Sequence, residues 1–284
     1  MRSKTDISLP IYQVDAFTSS PFSGNPAGVC LMQEPLPDWA QQAIASEMNL
    51  SETAFVILPY DTIKAINSDL PLRWFTPKNE VPLCGHATLA TAAVLFRELE
   101  IPSSMLRFQT KSGLLTAVYD GTRFTLDFPA DQPEQVDPAD LAPLLDAMGV
   151  DEYITVFKGK RTGKYVVHLP KAEDVIQLKP NFNQMLIVAP TLTGVGVTAK
   201  GDQEYDIVSR YFNPWFGVDE DPVTGTVHTI LAPYWADLLQ KEHLYAFQAS
   251  ARQGEIHIAL DKKGRCLLTG DAVVVLTGNL NISY

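Results

Sequence analysis

The sequence predicts an α+β protein built as two similar halves, each a mostly antiparallel sheet wrapped around one buried helix. Three observations carry this expectation. Two stretches, 86–99 and 226–239, are apolar on nearly every face, the pattern of a helix enclosed by protein on all sides. Short alternating segments punctuated by turn residues surround both. The two regions also repeat one another at an offset of about 140 residues, close to half of the 284-residue chain.

Taken in order, residues 11–18 and 27–32 read as strands on either side of the turn-rich stretch Ser19 to Pro26. Residues 37–48 read as an amphipathic helix, with Trp39, Ala40, Ala43, Ile44 and Met48 at helical spacing. Ala54 to Leu58 is a short apolar run expected to form a buried strand, and 86–99 is the first enclosed helix. Residues 106–128 alternate as strands with turns at Ser112-Gly113 and Asp120-Gly121, and 131–149 is Pro- and Asp-rich, then helical. Strands are expected at 164–169, 184–189 and 194–198. Pro233 is expected to kink the second enclosed helix, 226–239. The tail, 244–283, reads as strands with turns at Gln253-Gly254, Lys263-Gly264 and Gly270-Asp271. A first lobe of 1–118, completed by 272–284, and a second lobe of 119–271 follow, with the active site expected in the cleft between them.

The repeat has three elements in the same order. Arg73-Trp74-Phe75-Thr76-Pro77 matches Arg210-Tyr211-Phe212-Asn213-Pro214. The loop Glu80-Val81-Pro82-Leu83-Cys84-Gly85 matches Glu220-Asp221-Pro222-Val223-Thr224-Gly225, and each loop leads into an enclosed helix. Phe108-Gln109 then matches Phe247-Gln248.

Composition narrows the function. Hydrophobic residues make up 46% and charged residues 19%, an ordinary globular balance. No apolar run approaches the roughly 20 residues of a membrane span, and the polar opening, Met1 to Pro10, lacks a signal-peptide core. The formal net charge of −11 and the absence of a Lys/Arg cluster argue against nucleic acid; Lys262, Lys263 and Arg265 read as a solvated turn. Three widely spaced cysteines, Cys30, Cys84 and Cys266, predict neither a disulfide framework nor a zinc site, and a cytoplasmic location is the simplest expectation.

The candidate chemistry sits at the helix starts. The first N–H groups of a helix lack internal partners and its dipole is positive there, so two such starts suit a small carboxylate or phosphate. Gly85 and Gly225 open the two helices, unless they merely end turns. His86, in the first turn, is expected to be neutral at pH 7 and able to polarise a substrate oxygen, or else to cap the helix. In the acidic run Asp219-Glu220-Asp221, Asp221 is the residue kept for function and the other two are read as solvated. Thr224 and Thr226 are hydroxyl donors or N-caps. Glu52, where a loop enters a buried strand, is either a solvent-facing residue or, in a dry cleft, a general acid/base.

These residues resemble a known family. Asp15-Ala16-Phe17-Thr18 with Pro21-Phe22-Ser23-Gly24-Asn25-Pro26-Ala27, then Asn49-Leu50-Ser51-Glu52-Thr53-Ala54-Phe55, are similar to the first two motifs of the PhzF (phenazine biosynthesis-like) family. Arg73 to Pro77 through Leu83-Cys84-Gly85-His86-Ala87-Thr88, and Glu220 to Thr226, resemble its third and fourth. The resemblance covers almost the whole chain. It implies the diaminopimelate epimerase-like fold, two pseudo-symmetric lobes each forming a β-roll around a central helix. It also implies a homodimer, no cofactor and no metal, and isomerisation of a small anionic metabolite by proton transfer. Glu52 is then the acid/base, His86 and Asp221 share the catalytic work, and Asn25, Gly85, Thr224, Gly225 and Thr226 bind substrate. Where the family commonly has Ser, this chain has Thr226, which keeps the hydroxyl and adds a methyl.

Two other readings compete. A two-cysteine epimerase or racemase of the same fold needs a thiol before the glycine of each half. Cys84 fits, but Thr224 holds the second position and Cys266 lies outside the loop, so this reading is disfavoured and Cys84 is expected to be neither nucleophile nor base. The alternative kept is a non-catalytic member of the fold that binds a small molecule or a protein.

Overall fold

A computed structural model describes residues 6–58, 69–202 and 204–283. Met1 to Thr5, part of the polar opening, lie outside the described residues, as does position 284. Contacts divide the chain into two compact units, Met1–Leu126 with Gly270–Tyr284, and Asp127–Thr269.

The first unit opens with β1 (Asp6–Ala16), β2 (Asn25–Met32), α1 (Asp38–Met48) and β3 (Glu52–Ile57). It continues with β4 (Leu70–Phe75), β5 (Glu80–Val81) and α2 (Gly85–Ala93), whose last turn widens into a π-turn over Val94–Glu98. Then come β6 (Met105–Thr110), β7 (Gly113–Tyr119) and β8 (Phe124–Pro129). Every residue from Gly85 to Phe96 is buried, because the sheet wraps the helix: α2 packs against β1, β2, β3 and β7. β2 is apolar on both faces for a related reason. Cys30 and Met32 lie in a second cluster, with Ile44 and Ala40 of α1 and with Phe55 and Phe75.

The second unit contains β9 (Pro133–Gln135), α3 (Ala142–Met148), β10 (Thr155–Gly159), β11 (Tyr165–His168), α4 (Ala172–Gln177) and α5 (Phe182–Val188). After these come β12 (Val195–Lys200), β13 (Ile207–Asn213), β14 (Val218–Glu220) and α6 (Gly225–Leu239). β15 (His243–Gln248), β16 (Gly254–Leu260) and β17 (Arg265–Gly270) follow, and β18 (Ala272–Ser283) returns to pair with β1 in the first unit.

Pairing directions show the duplication. In the first unit the ladder runs β18-β1-β2-β3-β4-β6-β7-β8, with parallel pairs only at β2–β3 and β4–β6. In the second it runs β9-β10-β11-β12-β13-β15-β16-β17, with parallel pairs only at β11–β12 and β13–β15. The parallel pairs fall at the same two steps of both ladders. The α+β architecture read from the sequence holds.

Two local expectations change. Residues 184–189, read as a strand, form the end of α5 instead, because Asn181 caps a helix by accepting from the Gln184 N–H at 3.1 Å. The apolar run Met185 to Val188 does not distinguish the two periods by itself. Pro233 lies inside α6, whose span is continuous across it. The carbonyl that proline leaves without a helix donor, that of Thr229, accepts instead from the Asp131 N–H at 3.0 Å. The third element of the repeat is real but shifted by one residue. β4 pairs with β6 through Leu70–Phe108, and β13 pairs with β15 through Ile207–Ala246. Phe108 therefore corresponds to Ala246, and buried Thr110 to buried Gln248, while Gln109 faces out.

The repeated arginine and glutamate form a clamp in each unit. Arg73 Nε lies 2.7 Å from Glu80 Oε1 and its Nη2 2.8 Å from Oε2; Arg210 and Glu220 match at 2.7 and 2.9 Å. Each pair ties the strand to the loop that delivers the next helix. The Arg73 guanidinium holds the Glu80 carboxyl below its ordinary value. Each arginine also reaches an outer helix: Arg73 meets Asp38 at the start of α1, and Arg210 Nη1 donates to the carbonyls of Val175 and Leu178 at the end of α4. Glu220, read as solvated, is thus engaged and largely shielded.

Arg210→Met strands Glu220 and those carbonyls in a shielded setting and is expected to cost about 2–4 kcal/mol in urea unfolding. Arg73→Met, at the more exposed arginine and with Lys111 still paired to Glu80, is expected to cost about 1 kcal/mol. Equal losses would mean that the clamps are not graded by burial.

Candidate functional site

In the first unit, strand and helix ends bring Asn25, Glu52, Cys84 and His86 together. The motif around Asp15 explains how Asn25 arrives. Buried Asp15 accepts from the Phe22 N–H at 2.7 Å and holds the 17–24 loop. Gly24 sits at φ +64°, where a Cβ would stand 2.3 Å from the Ala16 carbonyl oxygen, so only glycine makes the turn into β2. Asn25 then starts β2 fully buried, with Nδ2 3.2 Å from His86 Nδ1.

Cys84 is the N-cap of α2 in extended geometry, Gly85 is the first helical residue and His86 the second. Both His86 nitrogens face protein groups: Cys84 Sγ lies 3.5 Å from Nδ1, and Glu52 Oε2 lies 3.2 Å from Nε2. Nε2 is buried, and the approach to Glu52 lacks the alignment of a full hydrogen bond. Burial pushes the His86 pKa down to about 3, so the ring is neutral at pH 7. Desolvation of the buried ring produces this neutrality. Glu52, at the first position of β3, is a fifth exposed at its side chain, with 20% of its surface accessible. It neither faces open solvent nor is sealed off.

In the second unit, Asp221, Thr224, Gly225 and Thr226 surround the start of α6. Thr224 is the N-cap and Gly225 the first helical residue, as Cys84 and Gly85 are for α2. Here the cap is pinned. The Thr224 hydroxyl donates to Asp221 Oδ2 at 2.5 Å and its N–H donates to Gln248 Oε1 at 2.8 Å. Gln248 Nε2 in turn donates to the Asp221 carbonyl at 2.7 Å. Thr224 uses its hydroxyl on Asp221 and not on the helix N–H groups, so it is an N-cap by position only. Thr226, half-buried, follows Gly225, and its carbonyl accepts from the Thr229 hydroxyl.

Sequence reasoning passed over several residues here. Fully buried His228 donates from Nδ1 to the Thr224 carbonyl at 2.7 Å, and Thr88 serves the Cys84 carbonyl at 2.6 Å in the corresponding place. Burial outweighs that bond and lowers the His228 pKa to about 4. Lys164 Nζ lies 2.6 Å from the Tyr211 hydroxyl. Burial lowers the Lys164 pKa against the opposing pull of Asp221; burial raises that of Tyr211, and Asp221 adds to the rise. Gly194 makes room for this pair, since a Cβ there would meet the Tyr211 oxygen at 1.9 Å. The only sequence signal was Tyr211 in the repeated motif; Lys164 stands just before β11 in a segment of ordinary composition.

The fold brings Glu52 to Cys84 and His86. Glu52, Cys84 and His86 each offer a ligand atom, and those atoms lie within 4.8 Å of one another.

The three buried histidines give a pH signature. His86, His168 and His228 have pKa values lowered by burial to about 3, 4 and 4. Below the unfolded value near 6.5 the unfolded chain takes up protons that the folded chain refuses, so stability falls as pH falls. Between pH 6.5 and 4.5, urea unfolding should lose up to about 1.4 kcal/mol per pH unit for each histidine. His228→Gln should make that slope shallower by about one third; an unchanged slope would contradict the assignment.

Comparison with known proteins comes out consistently. A family model described as phenazine biosynthesis-like protein matches residues 14–278. An uncharacterized isomerase of Pseudomonas aeruginosa is 45% identical over 275 residues, covering 96% of this chain and 99% of that one. Phenazine biosynthesis-like domain-containing protein 1 of Mus musculus is 43% identical over 285 residues, with 96% and 99% covered. The crystal structure of a PhzF-family phenazine biosynthesis protein of Enterococcus faecalis superposes with a TM-score of 0.87 at 36% identity, covering 97% of this chain and all of that one (100%).

Proposed function

The chain belongs to the phenazine biosynthesis-like (PhzF) family, and we propose that it is a cofactor-independent isomerase moving a proton on a small carboxylate-bearing metabolite, with Glu52 as acid and base. The observation that carries this reading is the 3.2 Å approach of Glu52 Oε2 to the neutral, buried His86 at the start of the enclosed helix α2. A carboxylate that takes a proton from carbon and returns it elsewhere must be held in one place and partly desolvated. β3 fixes the backbone of Glu52 and His86 limits where its carboxyl turns. His86 thus serves Glu52 directly, in place of the substrate oxygen assigned to it from sequence. The unpaired N–H groups at Gly85 and His86 suit the developing negative charge of an enolate-like intermediate.

Asp221, Thr224, Gly225 and Thr226 are proposed to act on the same substrate. Asp221 suits a substrate amine or hydroxyl, and the basic Lys164 nearby offsets its charge. A homodimer belongs to the same reading. Two-thiol chemistry has no support: Thr224 stands where the second cysteine would be, and Cys30 and Cys266 are fully buried in β2 and β17.

The test uses a pool of small carboxylates from cell extract in deuterated water, read by mass spectrometry. The parent protein should enrich deuterium at carbon in at least one species. Glu52→Gln should lower the rate by at least about a thousandfold while leaving binding largely intact. Cys84→Ser should keep exchange within about tenfold of the parent. Exchange undiminished in Glu52→Gln ends the mechanism, and a collapse in Cys84→Ser reinstates thiol chemistry.

A further inference from the structure

We propose that Glu52, Cys84 and His86 form a binding site for a thiophilic divalent cation, zinc above all, which competes with the proton-transfer chemistry of the same residues. Three donors of different type converge: a carboxylate oxygen, a sulfur and an imidazole nitrogen, all within 4.8 Å of one another. Tetrahedral zinc bonds of about 2.0–2.3 Å place neighbouring donors about 3.3–3.6 Å apart. Glu52 Oε2 and His86 Nε2 already stand at 3.2 Å, and Cys84 Sγ and His86 Nδ1 at 3.5 Å. One cation uses one ring nitrogen, and these two approaches run to different ones, so capture by all three donors asks the Cys84 side chain to turn from Nδ1 toward the cation.

A second observation points to Nε2 as that nitrogen. His86 is only 6% exposed, and Nε2 is buried with no hydrogen-bond partner among the described residues. A cation there satisfies it. Nδ1 then carries the ring proton and faces the Asn25 side chain, 3.2 Å away, whose carbonyl end can accept it once the amide turns over. That gives the second-shell partner a zinc-bound histidine ordinarily has.

The donor set selects the ion. Thiolate and imidazole favour zinc and other soft ions over magnesium or calcium. Three protein donors leave a fourth position for water or a substrate carboxylate. On binding, the Cys84 S–H bond breaks, sulfur gives its electron pair to the metal, and the proton goes to buffer. The corresponding position in the second unit cannot do this. Thr224 replaces the thiol, and the histidine there, His228, has Nδ1 on the Thr224 carbonyl and Nε2 3.3 Å from Ser209 Oγ.

The competitive consequence rests on the isomerase reading, because the cation takes the Glu52 lone pair that proton transfer needs; the binding itself does not. The experiment therefore uses metal alone. Full-length protein stripped with a chelator is titrated with Zn²⁺ by calorimetry in two buffers of different ionisation heat. Co²⁺ is added separately to look for thiolate charge-transfer absorption. Saturable binding of about one Zn²⁺ per chain, about one proton released, and a Co²⁺–thiolate band are expected. Cys84→Ser and Glu52→Gln should each weaken Zn²⁺ by at least about a hundredfold, and His243→Gln, on the exposed start of β15, should leave it unchanged. No saturable binding, no thiolate band in the parent, or affinity retained within a few-fold in both variants overturns the site. Deuterium exchange in excess chelator is read separately, so loss of exchange there counts against the isomerase and not against the metal site.

Discussion

A helix that begins inside a sheet leaves the N–H groups of its first turn short of water partners, and a helix begins in this way in both units of this protein, although the far end of α6 reaches the surface at Leu238. Those groups need partners inside the fold or a ligand from outside it. Much of the local structure answers that need. Glycine opens both helices, an extended residue precedes each glycine, and a strand arginine clamps the glutamate that begins each loop. The approach of the chain to the helix start is thereby as rigid as the strands on which the arginines lie.

The two units solve the same problem with opposite emphasis. Around α6 the cap is saturated: Thr224, Asp221 and Gln248 bond one another, and His228 fastens the cap carbonyl from within the helix. Around α2 the cap residue is a cysteine, the second helical residue is a histidine, and a carboxylate from β3 stands against it. The thiol is a weak hydrogen-bonding group and the imidazole keeps a buried nitrogen with no aligned partner. Duplicated backbone has thus been fitted with a stapled start in one unit and a less saturated one in the other, and the second is the start to which the proposed proton transfer and metal capture are assigned.

Burial, more than charge, sets the protonation of this interior. His86, His168 and His228 are all pushed toward the neutral form by desolvation, and Tyr211 toward its protonated form. A neutral imidazole beside Glu52 adds no full charge to the carboxylate, so the two are not held together as a strong ion pair. Arg97 with Asp271 and Arg265 with Asp127 are part-exposed ion pairs by contrast.

The periodicity of the chain was sufficient for the two enclosed helices, for α1, and for most strands, because those choices depend on which faces must be apolar and so are written locally. The duplication was legible for the same reason, down to the paired Arg and Glu positions of the clamps. Residues 184–189 were not, since a short apolar run suits either period until Asn181 caps a helix. The Phe-Gln match misled by one residue because register belongs to the partner strand and not to the strand itself. Glu52 was nameable from its motif, yet its setting was not: it lies on β3 and His86 on α2, and only the packing of that helix against that strand brings them to 3.2 Å. The approach of Glu52 to Cys84, and the seating of Lys164 on Tyr211, follow likewise from contacts between residues far apart in the chain, which spacing alone cannot encode, whereas Cys84 and His86 are two residues apart.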